Sequence, residues 1–349
     1  MKGALLSQPA NPGARILAVG GARGDRLVTN AELAGPIDSS DEWIRSRTGI
    51  ATRARAADDQ SMLDLAEAAS RAALAAAGLG PDQLDLVILG SITHFLQTPA
   101  AAPQLATRLG ASGAAAFDIS AACAGYCYGI GLADCLVRSG AATHVLVVGA
   151  DKLSEMVDPT DRTISFLLGD GAGAAVVGPS ERPRIGPAVW GSDGAQAGRV
   201  GQDIDYRQAV AGGVWPTLRQ DGPSVYKWAV FEISKAARAA IAAAGLTPDQ
   251  IEVFLPHQAN LRIIEQQVKR IGLSPEVIVA RDIVETGNTS AASVPLATER
   301  LLRDDPQIGG KLALQLGFGA GLAYAAQVVE LPPAGHRQPT AGGPATPFD

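Results

Sequence analysis

Cysteine is scarce in this chain, and its three copies, Cys123, Cys127 and Cys135, crowd into one stretch of 13 residues. An odd count without a CxxC pair excludes a disulfide framework and a cysteine zinc site, and it fits a reducing, cytoplasmic compartment. An excess of positive charge is also missing. The 29 Lys and Arg face 35 Asp and Glu, a net charge of −6, which argues against a nucleic-acid binder. No run of about 20 apolar residues exists to span a membrane. Residues 1–13 hold one lysine and no long apolar run, so they read as a disordered tail rather than a signal peptide. Residues 333–349, rich in Pro, Gly, Ala and Thr, read as a second disordered tail. Charged residues make up only 18% against 47% apolar, so the 349 residues between and including these tails can bury a large core.

Short β-rich runs alternate with helical patterns. LDLVIL (84–89), THVLVV (143–148), AAVV (174–177), IEVFL (251–255) and LALQL (312–316) read as buried strands. Residues 61–77, 126–139, 225–244 and 295–303 read as helices, and the class is α/β. ALAAAGLGPDQLDLVILG (73–90) and AIAAAGLTPDQIEVFLPH (240–257) share nine of 18 positions at an offset of 167. SAAC (120–123) and SAAS (290–293) add a second match at an offset of 170. AAAGL-PDQ by itself is also a serviceable helix–turn phrase in an Ala-rich chain, but two matches argue for two copies of one unit. The halves fall at 14–180 and 181–332. An active site between them places residues near 123 and near 257–290 in one cleft.

Cys123 lies where a strand (115–119) gives way to a helix, among Ala121, Ala122, Ala124 and Gly125. A helix start favours the thiolate, and its N–H groups favour an oxyanion. The competing reading is a small buried cysteine, which suits Cys127 and Cys135 inside the helix. Of four histidines, His94 and His144 read as structural and His336 lies in the tail. His257 ends a strand at the expected cleft, followed by Gln258, Ala259 and Asn260. Asn288 sits in the polar turn TGNTSAASVP. The Gly-rich runs 169–174 and 317–321 lack the GxGxxG dinucleotide spacing and read as close-packing turns.

Five phrases in order, SSDEWIRSRTGI (39–50), FDISAACAGY (117–126), DPTDRTISFLLGDGAGAAVVG (158–178), VFLPHQANLRII (253–264) and TGNTSAAS (286–293), resemble the beta-ketoacyl-acyl-carrier-protein synthase III family of the thiolase superfamily. The resemblance covers residues 14–332. It implies a duplicated five-layered αβαβα fold, a homodimer, and decarboxylative condensation of an acyl-CoA with malonyl-carrier protein to begin fatty-acid synthesis. These two are substrates; no cofactor or metal is implied. The catalytic set implied is Cys123, His257 and Asn288, with backbone N–H groups of Cys123 and Ala320 as the oxyanion hole. Trp43, Arg47, Arg162 and Asn260 resemble the CoA-binding residues. Thr98 resembles a residue that reaches the partner subunit's acyl channel, where a small side chain implies tolerance of a longer or branched starter. Lys227, Gln258, Ala259, Asn260, Leu261, Arg262, Lys269 and Arg270 resemble the carrier-protein docking surface. Tyr126 stands where Phe is common, Thr163 where Gly is common, and Ala320 where Gly is frequent. A polyketide-priming synthase or a related acyltransferase would keep the same residues. A non-catalytic partner would have lost Cys123, and a thiolase would need a second catalytic cysteine beyond Cys135.

Overall fold

The computed structural model describes residues 10–334. Two five-stranded mixed sheets form its frame. The first contains β1 (Gly13–Arg23), β2 (Leu86–Gly90), β3 (Ala115–Ile119), β4 (Val145–Lys152) and β5 (Asp170–Ser180), in the order β1-β5-β4-β2-β3. The second contains β6 (Val189–Gly191), β7 (Val253–Pro256), β8 (Ile278–Val279), β9 (Leu312–Phe318) and β10 (Tyr324–Glu330), in the order β6-β10-β9-β7-β8. In each sheet the last three strands are parallel and the first two antiparallel. The topology of one half therefore repeats in the other.

Six helices set the layers: α1 (Asp41–Thr48), α2 (Met62–Ala77), α3 (Gly125–Arg138), α4 (Gly222–Ala243), α5 (Leu261–Ile271) and α6 (Ser293–Asp304). α3 and α6 touch strands of both sheets, whereas α2 covers the outer face of the first sheet and α4 that of the second. This is the αβαβα sandwich. The central helices carry little charge on their buried faces: α3 buries Tyr126, Cys127, Ile130, Ala133 and Val137, and α6 buries Val294, Pro295, Leu296 and Ala297. Such helices can be covered on both sides.

The repeat holds, but with a different register at the nucleophile. The single-turn helices at Pro81–Gln83 and Pro248–Gln250 keep the offset of 167. The turns that enter α3 and α6, Ala122–Ala124 and Ser290–Ala292, are offset by 168. Their first residues share an unusual left-handed backbone, φ 45° at Ala122 and 52° at Ser290. Cys123 therefore corresponds to Ala291, not to Ser293 as the SAAC–SAAS match implies. Ser293 corresponds to Gly125 and serves another purpose.

The two halves meet through glycine. A Cβ placed on Gly149 of β4 would lie 2.2 Å from the Ala291 carbonyl oxygen, and one on Gly317 of β9 would lie 3.0 Å from the Ala124 Cα. Each strand thus admits the turn of the opposite half. Asp151, two residues beyond Gly149 and fully buried, accepts from Ser91 Oγ (3.0 Å), Ile92 N–H (2.8 Å) and Thr93 Oγ1 (3.1 Å), and reaches Ala291 N–H at 3.4 Å.

Several expectations are corrected here. The run 169–174 is mostly strand, with β5 starting at Asp170; its glycines still serve close packing, because a Cβ on Gly173 would meet Pro295 at 2.6 Å. Asn11 and Gly13 do not belong to a disordered tail. Asn11 donates from its backbone to Arg138 O at 2.8 Å and from Nδ2 to Val137 O at 2.6 Å, and β1 begins at Gly13. Residues 1–9, 335–349 and with them His336 lie outside the described residues.

Gly149→Ala is expected to lose about 1–3 kcal/mol or more of stability, because the clash is with backbone. Gly35→Ala, in open space at φ −58°, is expected to change stability by less than about 0.5 kcal/mol. Chemical denaturation of both variants checks the pair; equal midpoints would refute the role given to Gly149.

Candidate active site

A cleft of about 580 Å³ opens between the halves, with Cys123, His257, Asn288, Ser290, Gly319 and Ala320 at its inner end. Trp43, Arg47, Arg162, Asn260 and Arg262 also line it. The inner end is built by the two pseudo-equivalent turns and the ends of β7 and β9. Gly319 lies against Cys123: a Cβ there would be 3.0 Å from both Sγ and the backbone N.

Burial pushes the Cys123 thiol up to about 12; the Ser290 hydroxyl and the residue's own N–H favour the thiolate, and the Asp151 charge opposes it. Burial thus works against the thiolate that a helix start favours. Cys123 sits in a single turn ahead of α3. His257 is also buried, which lowers its imidazole to about 3 and keeps it neutral at any physiological pH. Its Nδ1 lies 2.7 Å from Ser293 Oγ. Its ring meets Phe318 edge to face at 5.2 Å, and Phe318 meets Trp228 in the same manner at 6.0 Å.

Asn288 is oriented by its neighbours. Its Oδ1 accepts from Ser290 N–H at 2.9 Å, which turns the amide NH₂ the other way. Its backbone is zipped to the adjoining loop, donating to Leu167 O at 2.8 Å and accepting from Gly169 N–H at 2.9 Å. The inner end thus holds a neutral thiol, a neutral imidazole and an amide donor. The net charge of these three groups is zero, and together they can receive a developing anion.

At the outer end, α1 begins on Ser40, whose Oγ accepts from Trp43 N–H at 3.1 Å, and stops at Gly49 with φ 78°. Trp43 and Arg47 stand one turn apart on this helix, and the Arg47 and Arg162 guanidinium carbons lie 4.9 and 5.1 Å from the indole centroid. Asn260 caps α5, its Oδ1 accepting from Arg262 N–H at 2.9 Å, while its Nδ2 donates to Arg47 O at 3.1 Å. Its amide therefore already joins the loop that follows His257 to the helix that carries Trp43.

The remaining candidates separate. Lys227, Arg262, Lys269 and Arg270 are exposed, and the Arg270 guanidinium rests over Phe231 at 4.3 Å. Ala259 lines the cleft, and Leu261 packs on Gly49. Gln258 is corrected: it is fully buried, its Nε2 donating to Pro256 O at 2.8 Å, so it cannot meet an incoming protein. Thr98 is exposed and does not line the cleft of its own chain. Tyr126 is buried behind the nucleophile, where burial raises its phenol. His94 and His144 point at the carbonyls of Pro99 and Gln83, away from the cleft. Sequence reasoning missed Asp151, Ser290 and Ser293, whereas the run 317–321, read as a close-packing turn, does pack Gly319 against Cys123. The two serines stand in the SAAS phrase, but their hydroxyls carried no signal there.

Two family models match the chain. Residues 117–194 match 3-oxoacyl-[acyl-carrier-protein] synthase III, and residues 241–331 match its C-terminal part. The chain is 53% identical over 342 residues to a beta-ketoacyl-[acyl-carrier-protein] synthase III of Kocuria rhizophila, covering 91% of this chain and 96% of that protein. It is 50% identical over 333 residues to a synthase III of Streptomyces coelicolor, covering 92% and 97%. Among solved structures it is similar to the priming beta-ketosynthase of the R1128 polyketide pathway, with a TM-score of 0.92, 46% identity, and coverage of 94% and 99%. It is also similar to a synthase III of Aquifex aeolicus, with a TM-score of 0.84, 36% identity, and coverage of 91% and 100%. With the sandwich, the paired turns and these likenesses in place, the chain belongs to the beta-ketoacyl-acyl-carrier-protein synthase III family.

Proposed function

We propose that this protein condenses an acyl-CoA starter with malonyl-acyl-carrier protein, releasing CO₂ and forming 3-oxoacyl-carrier protein, the first condensation of fatty-acid synthesis. The observation that carries this reading is the convergence of Cys123, His257 and Asn288 at the inner end of one cleft. In the first half-reaction the Cys123 sulfur attacks the acyl-CoA carbonyl, the thiol proton ends on the departing CoA sulfur, and an acyl-cysteine remains. The N–H groups of Cys123 and Ala320 hold the oxyanion. In the second, the malonyl carboxylate leaves as CO₂ and its electron pair becomes an enolate on the thioester. His257 and the Asn288 amide donate to that oxygen. The enolate carbon attacks the acyl-cysteine carbonyl, Cys123 departs as thiolate, and one proton from solvent restores the thiol.

Coenzyme A fits the outer end, where the adenine would stack with Trp43 and Arg162, Arg47 would face its phosphate, and Asn260 would lie along the pantetheine arm. An acidic carrier protein would meet Lys227, Arg262, Lys269 and Arg270 around the mouth, with Ala259 and Leu261 beside them. Neither substrate is a resident cofactor, and a cytoplasmic setting supplies both. Likeness to a priming ketosynthase at a TM-score of 0.92 favours a second reading, in which the same chemistry primes a polyketide.

A homodimer is the assembly that suits the surface. Among the described residues β3 pairs only with β2, so its other edge is open. It exposes Phe117, and its one charge, Asp118, is turned back to cap the helix at Ala101 and Ala102. Such an unguarded edge is a template for a second strand. Trp190, exposed and stacked on Tyr128 at 5.3 Å, adds apolar surface. Across such an interface Thr98 would reach the neighbour's acyl channel.

Intact-mass measurement after exposure to a panel of acyl-CoAs should show one acyl adduct, confined to Cys123 and absent in Cys123→Ala. Alkylation of the resting thiol should rise continuously from about pH 7 to 10, with no plateau, because the raised thiol keeps gaining thiolate throughout. No adduct from any acyl-CoA would overturn the reading.

His257→Ala and Asn288→Ala are expected to acylate yet to decarboxylate malonyl-carrier protein about 10²–10³-fold more slowly. Product formation at the unaltered rate in either variant would remove that residue from the mechanism. Phe117→Asp should shift the mass in light scattering from two chains to one; a monomeric unaltered protein would end the dimer proposal.

A further inference from the structure

His257 is neutral, so its ring carries a single N–H, and which nitrogen holds it decides what the cleft receives. Nδ1 faces away from the cleft, toward Ser293. Ser293 is fully buried at the first turn of α6, and its Oγ lies 3.2 Å from the Gln258 backbone N–H. That N–H can only donate, so Ser293 Oγ is an acceptor in this bond.

The hydroxyl has one proton left to place. If Nδ1 carried the imidazole hydrogen, Ser293 would accept twice, and its own proton would lie buried without an acceptor. Among the described residues the Ser293 hydroxyl makes no other side-chain hydrogen bond. An orphaned buried donor is strongly disfavoured. The arrangement that satisfies every group runs Gln258 N–H to Ser293 Oγ, then Ser293 O–H to Nδ1. We propose that Ser293 is a positioning residue that sets the tautomer of His257, keeping the ring hydrogen on Nε2 and presenting that nitrogen to the cleft as a donor.

The remaining contacts support the same assignment. Phe318 and Trp228 add no titratable group, and no carboxylate hydrogen-bonds the ring among the described residues. A carboxylate partner would pull a hydrogen onto Nδ1 and leave Nε2 a base, whereas a serine hydroxyl supplies one instead. The same tautomer removes His257 as a base for Cys123 and leaves it as a donor to the enolate. This consequence rests on the condensation reading, but the tautomer itself does not. The register found in the fold adds a reason for serine at this position. Ser293 occupies the place of Gly125 in the other half, where no side chain is available. The two turns are alike in backbone, and this one position makes the second turn a support for histidine.

Long-range ¹H–¹⁵N correlation on the full chain labelled with ¹⁵N-histidine reads the tautomer directly, with His257→Asn identifying the resonance. Protonated Nε2 and unprotonated Nδ1 are expected; hydrogen on Nδ1 in the unaltered protein would overturn the proposal, whatever the activity. In Ser293→Ala, malonyl-carrier-protein decarboxylation should fall about 10–100-fold more than Cys123 acylation does, and Ser293→Thr, which keeps the hydroxyl, should recover most of it. Equal loss of both half-reactions, or no loss, would also overturn it. If Ser293→Ala does not fold, the spectrum of the unaltered protein still decides. An unaltered protein with hydrogen on Nε2 that decarboxylates nothing would sink the condensation reading and leave the tautomer assignment intact.

Discussion

The site depends on how closely two turns approach the strands of opposite halves. A side chain larger than hydrogen at Gly149 would collide with the Ala291 carbonyl at 2.2 Å, and one at Gly317 would press on Ala124 at 3.0 Å. These contacts fix the distance between the halves. They bring the turn that bears Cys123 beside the turn that bears Asn288 and Ser290. Asp151 then ties the loop at Ser91–Thr93 to Ala291, so the first half's sheet grips the second half's turn directly. The turns at the inner end are thus seated by backbone contacts, and backbone cannot adopt another rotamer. That rigidity is what electrostatic preorganisation requires.

Much of this was legible in the residues, and its limits have physical causes. Strands such as β2 and β4 declared themselves through branched apolar runs, because buried strands need no alternation. The 167-residue repeat showed in AAAGL-PDQ because helix stops and starts are written in Gly and Pro. The finer register was illegible. SAAC and SAAS match by letter, yet the backbones superpose two residues away, at Ala122 and Ser290, where both adopt positive φ. Small residues tolerate such turns without a distinctive spelling. Gln258 misled for a related reason: in a phrase that continues into exposed Arg262, nothing in its identity tells that it faces the interior. Asp151 was hidden within an apolar strand, since its partners come from segments about 60 and 140 residues distant.

The resting electrostatics differ from those of an activated-thiolate enzyme. An ion pair between Cys123 and His257 would be a natural guess from the cysteine–histidine pairing, but burial works against both charges. The thiol is pushed up to about 12 and the imidazole down to about 3, so each is held in its uncharged form. An ion pair between them is therefore disfavoured at rest. In the proposed first half-reaction the cysteine's proton goes instead to the sulfur of the leaving thiol, once substrate is bound.

A neutral site also fits the second half-reaction, which creates a charge rather than relocating one. A permanent cation beside the malonyl group would hold its carboxylate and oppose the loss of CO₂. Uncharged donors attract the carboxylate weakly and the concentrated enolate oxygen more strongly, so their contribution grows along the reaction. In the proposed mechanism Asn288 meets that need by chemistry, because an amide does not titrate. His257 would meet it only through its surroundings: burial keeps it neutral, and on the proposed tautomer the hydroxyl behind it directs its one hydrogen into the cleft. The demand for a neutral donor at one point therefore reaches back through Ser293 to the first turn of α6, and from there to the glycine contacts that place this turn.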